Sequence, residues 1–177
     1  WWEDAEALKR KAGPTIAGHA LEKAGISVYE NDAVLLRKDN FSFWLTGLGD
    51  QTAFAPLDRR NPRNWRGIDD VPGMMAKVTT DDPVISLIHE PDAFARMPAR
   101  ISLTLAGHTH GGQVRLFGRS FVVPSRFGRR YDYGHIVEEN RHLIVSGGLG
   151  CSILPVRFGM PPEIVVVDLG FPRNDTD

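Results

Sequence analysis

Cysteine is nearly absent from this sequence, because Cys151 is the only one among 177 residues. No disulfide can form within the chain, and the cysteine content does not indicate the redox state of its compartment. Long hydrophobic runs are missing as well, since no apolar stretch approaches the roughly 20 residues that a membrane-spanning helix requires. The first residues, WWEDAEALKRK, lack the basic and then apolar pattern of a secretory signal peptide.

An excess of charge of either sign is also missing. The formal net charge is -1 and the isoelectric point lies near 6.7, so the chain as a whole has no general attraction to nucleic acid or anionic membranes. Its hydrophobic fraction of 42% is that of an ordinary globular domain. The chain does not begin with methionine, so we expect it to be part of a longer protein. Any export signal or membrane anchor would then lie upstream, which leaves a cytoplasmic and a membrane-associated location both open.

Hydrophobic patterning predicts an α/β fold. Apolar residues recur with helical spacing at Ile16, Ala20 and Ala24, which predicts a helix over 15–24 that stops at Gly25. Further helices are predicted over 4–11 and, within a loop-like stretch from 50 to 82, over 72–80. The polar tail, 171–177, is expected to fray. Strands are predicted over 26–29, 33–37, 41–48, 83–88, 101–106, 135–137, 142–146 and 163–169.

Histidines directly follow two of the predicted strands. The apolar run PVISLI precedes His89, and ISLTLA precedes the string GHTHGGQ, which contains His108 and His110. Strand ends of open α/β sheets commonly hold ligands, and imidazole is a good ligand for Zn, Mn and Fe. We therefore interpret His89, His108 and His110 as metal ligands. Ordinary structural roles are expected for the other histidines, which are His19 and a cross-strand pair formed by His135 and His142.

Several longer strings resemble the calcineurin-like metallophosphoesterase superfamily, in its bacterial subgroup. LIHEPD is similar to the family's strand followed by a ligand histidine, LTLAGHTHGGQVRL to its GHxH block, and SGGLGCSILPVRFGMPPEIVVVDL to its C-terminal strand region. WWEDAEAL resembles the helix after the family's GNH motif. The resemblance covers nearly the whole chain. It implies a two-sheet β-sandwich flanked by helices, incomplete here, with 1–177 as the C-terminal part of a single domain.

The resemblance also implies a dinuclear metal centre. His89 and His108 would ligate one divalent ion and His110 the other, with Mn, Fe and Zn as candidates. The two ions would activate a hydroxide for in-line attack on phosphorus and stabilise the developing charge. The imidazoles would be neutral and oriented by neighbouring hydrogen-bond acceptors.

The family's N-terminal motifs are absent from these 177 residues. DxH, GDxxD and GNH followed by an acid would supply the bridging aspartate, an asparagine ligand and the histidine that helps to protonate the leaving group. Gly49-Asp50 begins like GDxxD, but Ala53 stands where the second aspartate belongs, and residues 30–32 lack the glycine and histidine of GNH. We therefore interpret Asp50 as a turn residue. We expect this chain alone to be inactive, with the missing N-terminal segment of the same domain as its partner.

Arginine is concentrated in one segment. Residues 111–130 contain five arginines and three phenylalanines but no acidic residue. One interpretation is a cationic rim that binds a phosphate-bearing substrate or an anionic lipid headgroup, with Arg115 and Arg119 as candidate substrate ligands. The alternative interpretation is a solvated loop.

The sequence thus predicts a metal-dependent phosphoester hydrolase that acts on a phosphodiester or pyrophosphate in preference to a monoester. The alternative is a non-catalytic metal-binding or interaction domain from a truncated or degenerate phosphoesterase. Nucleic acid binding is a third and less favoured option, because the overall charge is close to neutral.

Overall fold

The computed structural model describes residues 15–54, 67–152 and 155–170. These residues form a six-stranded mixed sheet and a separate two-stranded sheet, with few helices. The elements in chain order are α1 (Ile16–Lys23), β1 (Asp32–Lys38), β2 (Phe41–Gly47), α2 (Val71–Met75), β3 (Val84–Leu87), β4 (Leu103–Ala106), β5 (Arg115–Leu116), β6 (Arg119–Ser120), β7 (Gly134–Glu138) and β8 (Arg141–Val145). The predicted α/β class is confirmed, and the arrangement is consistent with a calcineurin-like fold.

The centre of the large sheet is parallel. Its strand order is β1-β2-β3-β4-β8-β7, and β2, β3, β4 and β8 run in the same direction. The outer pairs, β1 with β2 and β7 with β8, are antiparallel hairpins. Because parallel strands end at the same edge, the residues that follow β2, β3, β4 and β8 meet there.

One face of this sheet carries the hydrophobic core. Trp44, Val84 and Leu143 project from that face and pack in one cluster with Met74 of α2 and Phe94 of the 3₁₀ helix Pro91–Arg96. Val84, Met74 and Leu143 are 0% exposed. Burying side chains of this size stabilises the fold by about 1.5–3 kcal/mol each. The helices therefore cover this face of the sheet.

The opposite face of the sheet is apolar but incompletely covered. Neighbouring residues of a strand point to opposite faces, so Leu45, Leu87, Leu105 and Ile144 lie away from the helices. Leu87 is 38% exposed, and the other three side chains are half-buried. The described residues leave this face open to another layer.

Local patterns placed most elements correctly. The predicted helix 15–24 is α1, capped by the Thr15 hydroxyl, which accepts a hydrogen bond from the Gly18 N–H at 3.0 Å. Six predicted strands match β1, β2, β3, β4, β7 and β8 within two residues at every end, and the predicted helix 72–80 is the shorter α2. The predicted helix 4–11 and the tail 171–177 lie outside the described residues.

Two predicted strands are wrong. Residues 26–29 and 163–169 are irregular, and neither pairs with a strand among the described residues. Both segments are rich in β-branched residues, but Ile26 is 54% and Val166 is 80% exposed. A segment of high strand propensity forms a strand only where a neighbouring strand hydrogen-bonds to it, and the tertiary fold decides whether such a neighbour is present.

None of the described helices combines the length and the apolar character that crossing a bilayer demands.

Asn31 joins three loops near the edge where the parallel strands end. Its side-chain N–H donates to the Ile68 carbonyl at 2.6 Å, and its side-chain oxygen accepts from the N–H groups of Gly49 (2.9 Å) and Asp70 (2.8 Å). Its φ of 51° lies in the left-handed region that asparagine tolerates. We expect Asn31→Ala to lower the free energy of unfolding by about 2–3 kcal/mol in urea denaturation, since three backbone groups lose their partner. The control Asn40→Ala, on an exposed turn, should change it by less than about 0.5 kcal/mol, and equal losses would contradict a bridging role.

Candidate metal centre

The structure brings His89 and His108 together at the carboxyl edge of the sheet. His89 follows β3 and His108 follows β4, which are neighbouring parallel strands. The His89 Nε2 and His108 Nδ1 atoms lie 3.2 Å apart, and the two rings meet edge to face at 4.9 Å between centroids. The N–H of Gly107 donates to the His89 carbonyl at 3.2 Å, which ties the two strand ends together.

The geometry of this pair fits two ligands of one divalent ion. Two nitrogen ligands at about 2.1 Å from a tetrahedral zinc ion lie roughly 3.4 Å from each other. The observed separation of 3.2 Å is close to that value. Desolvation by the surrounding protein lowers the pKa of both histidines below the usual range, so both rings are neutral at pH 7. Neutral imidazole is the form that ligates a metal.

Thr109 anchors the loop that carries His108 and His110. Its buried hydroxyl donates to the Asp132 carbonyl at 2.7 Å and accepts from the Gly111 N–H at 3.4 Å. His108 (φ 67°) and His110 (φ 51°) adopt left-handed backbone conformations, which cost about 1–3 kcal/mol each and cluster at functional sites. Thr109 is a positioning residue that the sequence analysis missed. Its only sequence signal is its place between the two histidines.

His110 has a different side-chain contact from the other two histidines, although it is near enough for its charge to act on both of them. Its Nδ1 contacts the NH2 group of Arg157 at 3.3 Å, and that guanidinium also donates to the carbonyls of Gly147 (2.5 Å) and Gly150 (2.8 Å from Nε). A guanidinium only donates, so this contact uses a lone pair of the His110 ring. A metal at that nitrogen would displace Arg157. Among the described residues, no group of three His, Cys, Asp or Glu side chains is arranged to hold an ion.

A pair of carboxylates lies beside the histidines. Glu90 is buried, and its carboxylate accepts from the Gln51 N–H (3.2 Å) and the Thr52 hydroxyl (2.9 Å). Burial, and then the charge of Asp50, raise the pKa of Glu90 to about 7. Asp50 accepts from the Thr52 N–H at 2.7 Å, which is the turn role predicted for it. Its charge also acts on His89 and His108, against the desolvation that lowers their pKa values. The sequence analysis missed the proximity of Asp50 to this edge, although Asp50 follows β2 as His89 follows β3.

The two candidate arginines differ in their contacts. Arg115 donates to the carbonyls of Gly111 (3.2 Å) and Gly118 (2.8 Å) and forms a salt bridge with Asp132 at 3.5 Å. These contacts brace the loop, whereas Arg119 is exposed on β6. The assignment of either side chain to a substrate remains a prediction.

The remaining histidines have the structural positions that were predicted. His135 and His142 stack across the β7–β8 hairpin, with Nε2 and Nδ1 2.9 Å apart and an interplanar angle of 20°. His19 is exposed on α1, where it lies 3.8 Å from Glu22. The predicted cross-strand pair is thus confirmed.

Comparison with known proteins finds relatives that are named as phosphoesterases. The uncharacterized metallophosphoesterase YkuE of Bacillus subtilis is 36% identical over 104 residues, which is 58% of this chain and 36% of that protein. The phosphodiesterase YaeI of Escherichia coli is 31% identical over 158 residues, covering 87% of this chain and 51% of YaeI. An uncharacterized metallophosphoesterase of Aquifex aeolicus is 29% identical over 150 residues, covering 84% and 52% of the two chains.

The matched regions span about half of these relatives or less. No protein-family model matches the chain. No solved structure matches it either.

Proposed function

We propose that this chain, a member of the calcineurin-like metallophosphoesterase family, supplies the histidine-bearing half of the active site of a metal-dependent phosphoester hydrolase. The observation that carries the proposal is the pair of imidazoles, His89 and His108, whose nitrogens converge to 3.2 Å at the end of two parallel strands. The names of the relatives support hydrolysis of phosphoesters with divalent metal ions as cofactors.

Different residues of this chain would hold each of the two metal ions. His89 and His108 would hold one ion, and His110 would hold a second ion once Arg157 has moved from its Nδ1. Thr109 keeps the loop between them in its left-handed conformation. Divalent ions of the Mn, Fe or Zn type, when bound, supply activation of water and neutralisation of charge on the phosphoryl group.

The rest of the site would come from another segment of the same domain. The apolar sheet face at Leu45, Leu87, Leu105 and Ile144 is incompletely covered by the described residues. The relatives are about twice as long as their matched regions or more. We therefore propose that 1–177 is the C-terminal part of a single metallophosphoesterase domain. Its N-terminal part would cover this face and bring the carboxylate and asparagine ligands that the chain lacks.

The substrate we propose is a phosphodiester or a pyrophosphate. A match to a protein named phosphodiesterase supports this choice over a monoester. The exposed guanidinium of Arg119 is a candidate ligand for the phosphoryl oxygens of such a substrate, because arginine binds phosphate oxygens in pairs.

Hydrolysis of bis-p-nitrophenyl phosphate tests the half-site directly. We expect no turnover by the 177-residue chain, and turnover by a protein that extends upstream to its native start. EDTA should abolish the activity of the longer protein, and Mn²⁺ should restore it, because both ions are needed for attack on phosphorus. Turnover by the short chain at the rate of the longer one would contradict the half-site. Absence of metal-dependent turnover by both proteins, also on monoester and pyrophosphate substrates, would contradict the catalytic proposal.

A non-catalytic metal-binding domain is the second candidate. It is favoured by one observation, namely that Arg157 contacts the Nδ1 atom of His110, so that the His89–His108 pair is left as a site for one ion only. Calorimetric titration of the longer protein with Mn²⁺ and Zn²⁺ distinguishes the two candidates. Metal binding without hydrolysis of any of the three substrate classes would establish the second one.

A further inference from the structure

Several large apolar side chains at the hairpin of β5 and β6 are exposed to solvent. Leu116 and Phe117 lie at its tip and Phe121 and Val122 follow directly after β6, and these four residues are called the hairpin patch here. Phe117 is 104% exposed, Val122 78%, Phe121 73% and Leu116 40%. Contiguous exposed apolar groups on a soluble domain mark an interaction surface.

Phenylalanine is an unusual residue for the backbone conformation at the tip of this hairpin. Phe117 (φ 50°) and Gly118 (φ 74°) are the two central residues of the turn, and both have left-handed conformations. Such two-residue hairpin turns favour Asn-Gly or Asp-Gly, because a bulky side chain at positive φ is strained. Phe117 therefore carries both a conformational cost and the cost of full exposure. Within the part of the chain that the structure describes, Phe117 is fully exposed and makes no contact that compensates for either cost.

The charged side chains that border the hairpin patch are positive. Arg119 and Arg129 are exposed, and neither forms a salt bridge among the described residues. Both border the same shallow depression as Phe117 and Phe121. The segment 111–131 contains no acidic residue. A partner for this surface is therefore apolar and negatively charged.

The base of the hairpin is held firmly, so the tip is presented in one orientation. The Ser120 hydroxyl donates to the Gly111 carbonyl at 2.8 Å, within the loop that carries His110. The Arg115 N–H donates to the Phe158 carbonyl at 2.7 Å, and its side chain donates to the Gly118 carbonyl at 2.8 Å. The base of the hairpin is thus joined to the loop that carries His110.

We propose that the hairpin patch docks the chain on the surface of an anionic lipid bilayer. The rings of Phe117 and Phe121 and the Val122 side chain would enter the interfacial region, and Arg119 and Arg129 would contact lipid phosphates. Aliphatic Leu116 and Val122 suit acyl chains and cannot stack on nucleobases, which favours lipid over single-stranded nucleic acid. The proposal concerns attachment and does not depend on hydrolysis.

Vesicle sedimentation tests the docking with the longer protein that contains this chain, in which the apolar sheet face is expected to be covered. We expect binding to vesicles of phosphatidylcholine and phosphatidylglycerol, little binding to phosphatidylcholine alone, and weaker binding as salt rises. Phe117→Asn should lower the partition coefficient about tenfold, because it removes one of the aromatic anchors. The double variant Arg119→Gln/Arg129→Gln should lower it by a similar factor. The controls Phe41→Ser and Arg37→Gln change an exposed phenylalanine and an exposed arginine of β1 and β2, and should leave it unchanged.

Thermal unfolding separates docking from a structural role of Phe117. Asparagine suits a left-handed turn position, so Phe117→Asn should keep or raise the melting temperature while it weakens vesicle binding. A lowered melting temperature would show that Phe117 serves the fold, and would overturn the proposal. Equal binding to both vesicle types would also overturn it. So would unchanged vesicle binding by Phe117→Asn, or binding to single-stranded oligonucleotides in place of vesicles.

Discussion

His108→Ala in the longer protein that contains this chain is expected to lower kcat/KM for a phosphodiester by about a thousandfold or more, which corresponds to ~4 kcal/mol of transition-state stabilisation. His108 and His89 converge through single nitrogen atoms at 3.2 Å, so loss of one imidazole leaves the other unable to hold an ion by itself. Loss of a residue that only orients a metal ligand already costs about 10–100-fold, and loss of a ligand should cost more.

A matched control for this substitution lies in the same sheet. His142 also contacts a second histidine, because its Nδ1 lies 2.9 Å from the Nε2 of His135. We expect His142→Ala to keep kcat/KM within about twofold, since the control only removes a cross-strand pair. Metal content, measured by atomic emission, should fall in His108→Ala and stay constant in His142→Ala. Far-ultraviolet circular dichroism should be the same for both.

Two outcomes would contradict the assignment of His108. One is a folded His108→Ala protein that keeps more than about a tenth of the activity, because ligand loss should exceed outer-shell losses. The other is a His142→Ala protein that loses as much activity as His108→Ala. Either result would show that the metal does not bind at the His89–His108 pair.

Arg141→Ala is expected to lower the free energy of unfolding of this chain by about 3 kcal/mol. The Arg141 guanidinium is buried, and it donates to the carbonyls of Phe94 (3.0 Å) and Met97 (2.8 Å). It also stacks over the Phe94 ring at 4.8 Å. Each buried carbonyl that loses its donor costs about 1–3 kcal/mol, and a typical domain has only about 5–15 kcal/mol of stability. Urea denaturation measures the change.

Arg130→Ala is the control for the Arg141 prediction. Arg130 also lies over an aromatic ring, 5.1 Å from the centre of Tyr131, and it pairs with Glu138 at 2.7 Å. Its side chain is 55% exposed, so water replaces the lost contacts and the effect on stability should be far smaller than for Arg141→Ala. If the two substitutions lower the free energy of unfolding equally, the buried position of the Arg141 guanidinium does not account for its effect on stability.

Much of the fold could be predicted from local sequence, and the exceptions share a cause. The histidines His135 and His142 were predicted as a cross-strand pair because they flank two neighbouring predicted strands. In the structure a two-residue turn, Glu139-Asn140, joins these strands and sets their register locally. Residues 26–29 and 163–169 carry the same kind of apolar pattern but form no strand. A strand exists only where another strand pairs with it, and the sequence of the segment does not contain that partner.

The candidate site shows the same division. The sequence alone predicted which residues bind metal, because imidazoles follow two apolar runs and GHTHGGQ resembles a family motif. That inference needed only residue type and spacing. The sequence also determined that the carboxylate motifs of the family are absent from these residues.

Only the tertiary structure decided which of these groups meet. The parallel register of β2, β3 and β4 places Asp50 near Glu90 and His89 near His108, although these residues are 19 to 40 positions apart. The tertiary structure also brings the Arg157 guanidinium into contact with His110. Arg115 forms hydrogen bonds with its loop, whereas Arg119 is exposed. Contacts between distant segments depend on strand register and on the path of the loops. A local pattern of side chains carries neither kind of information.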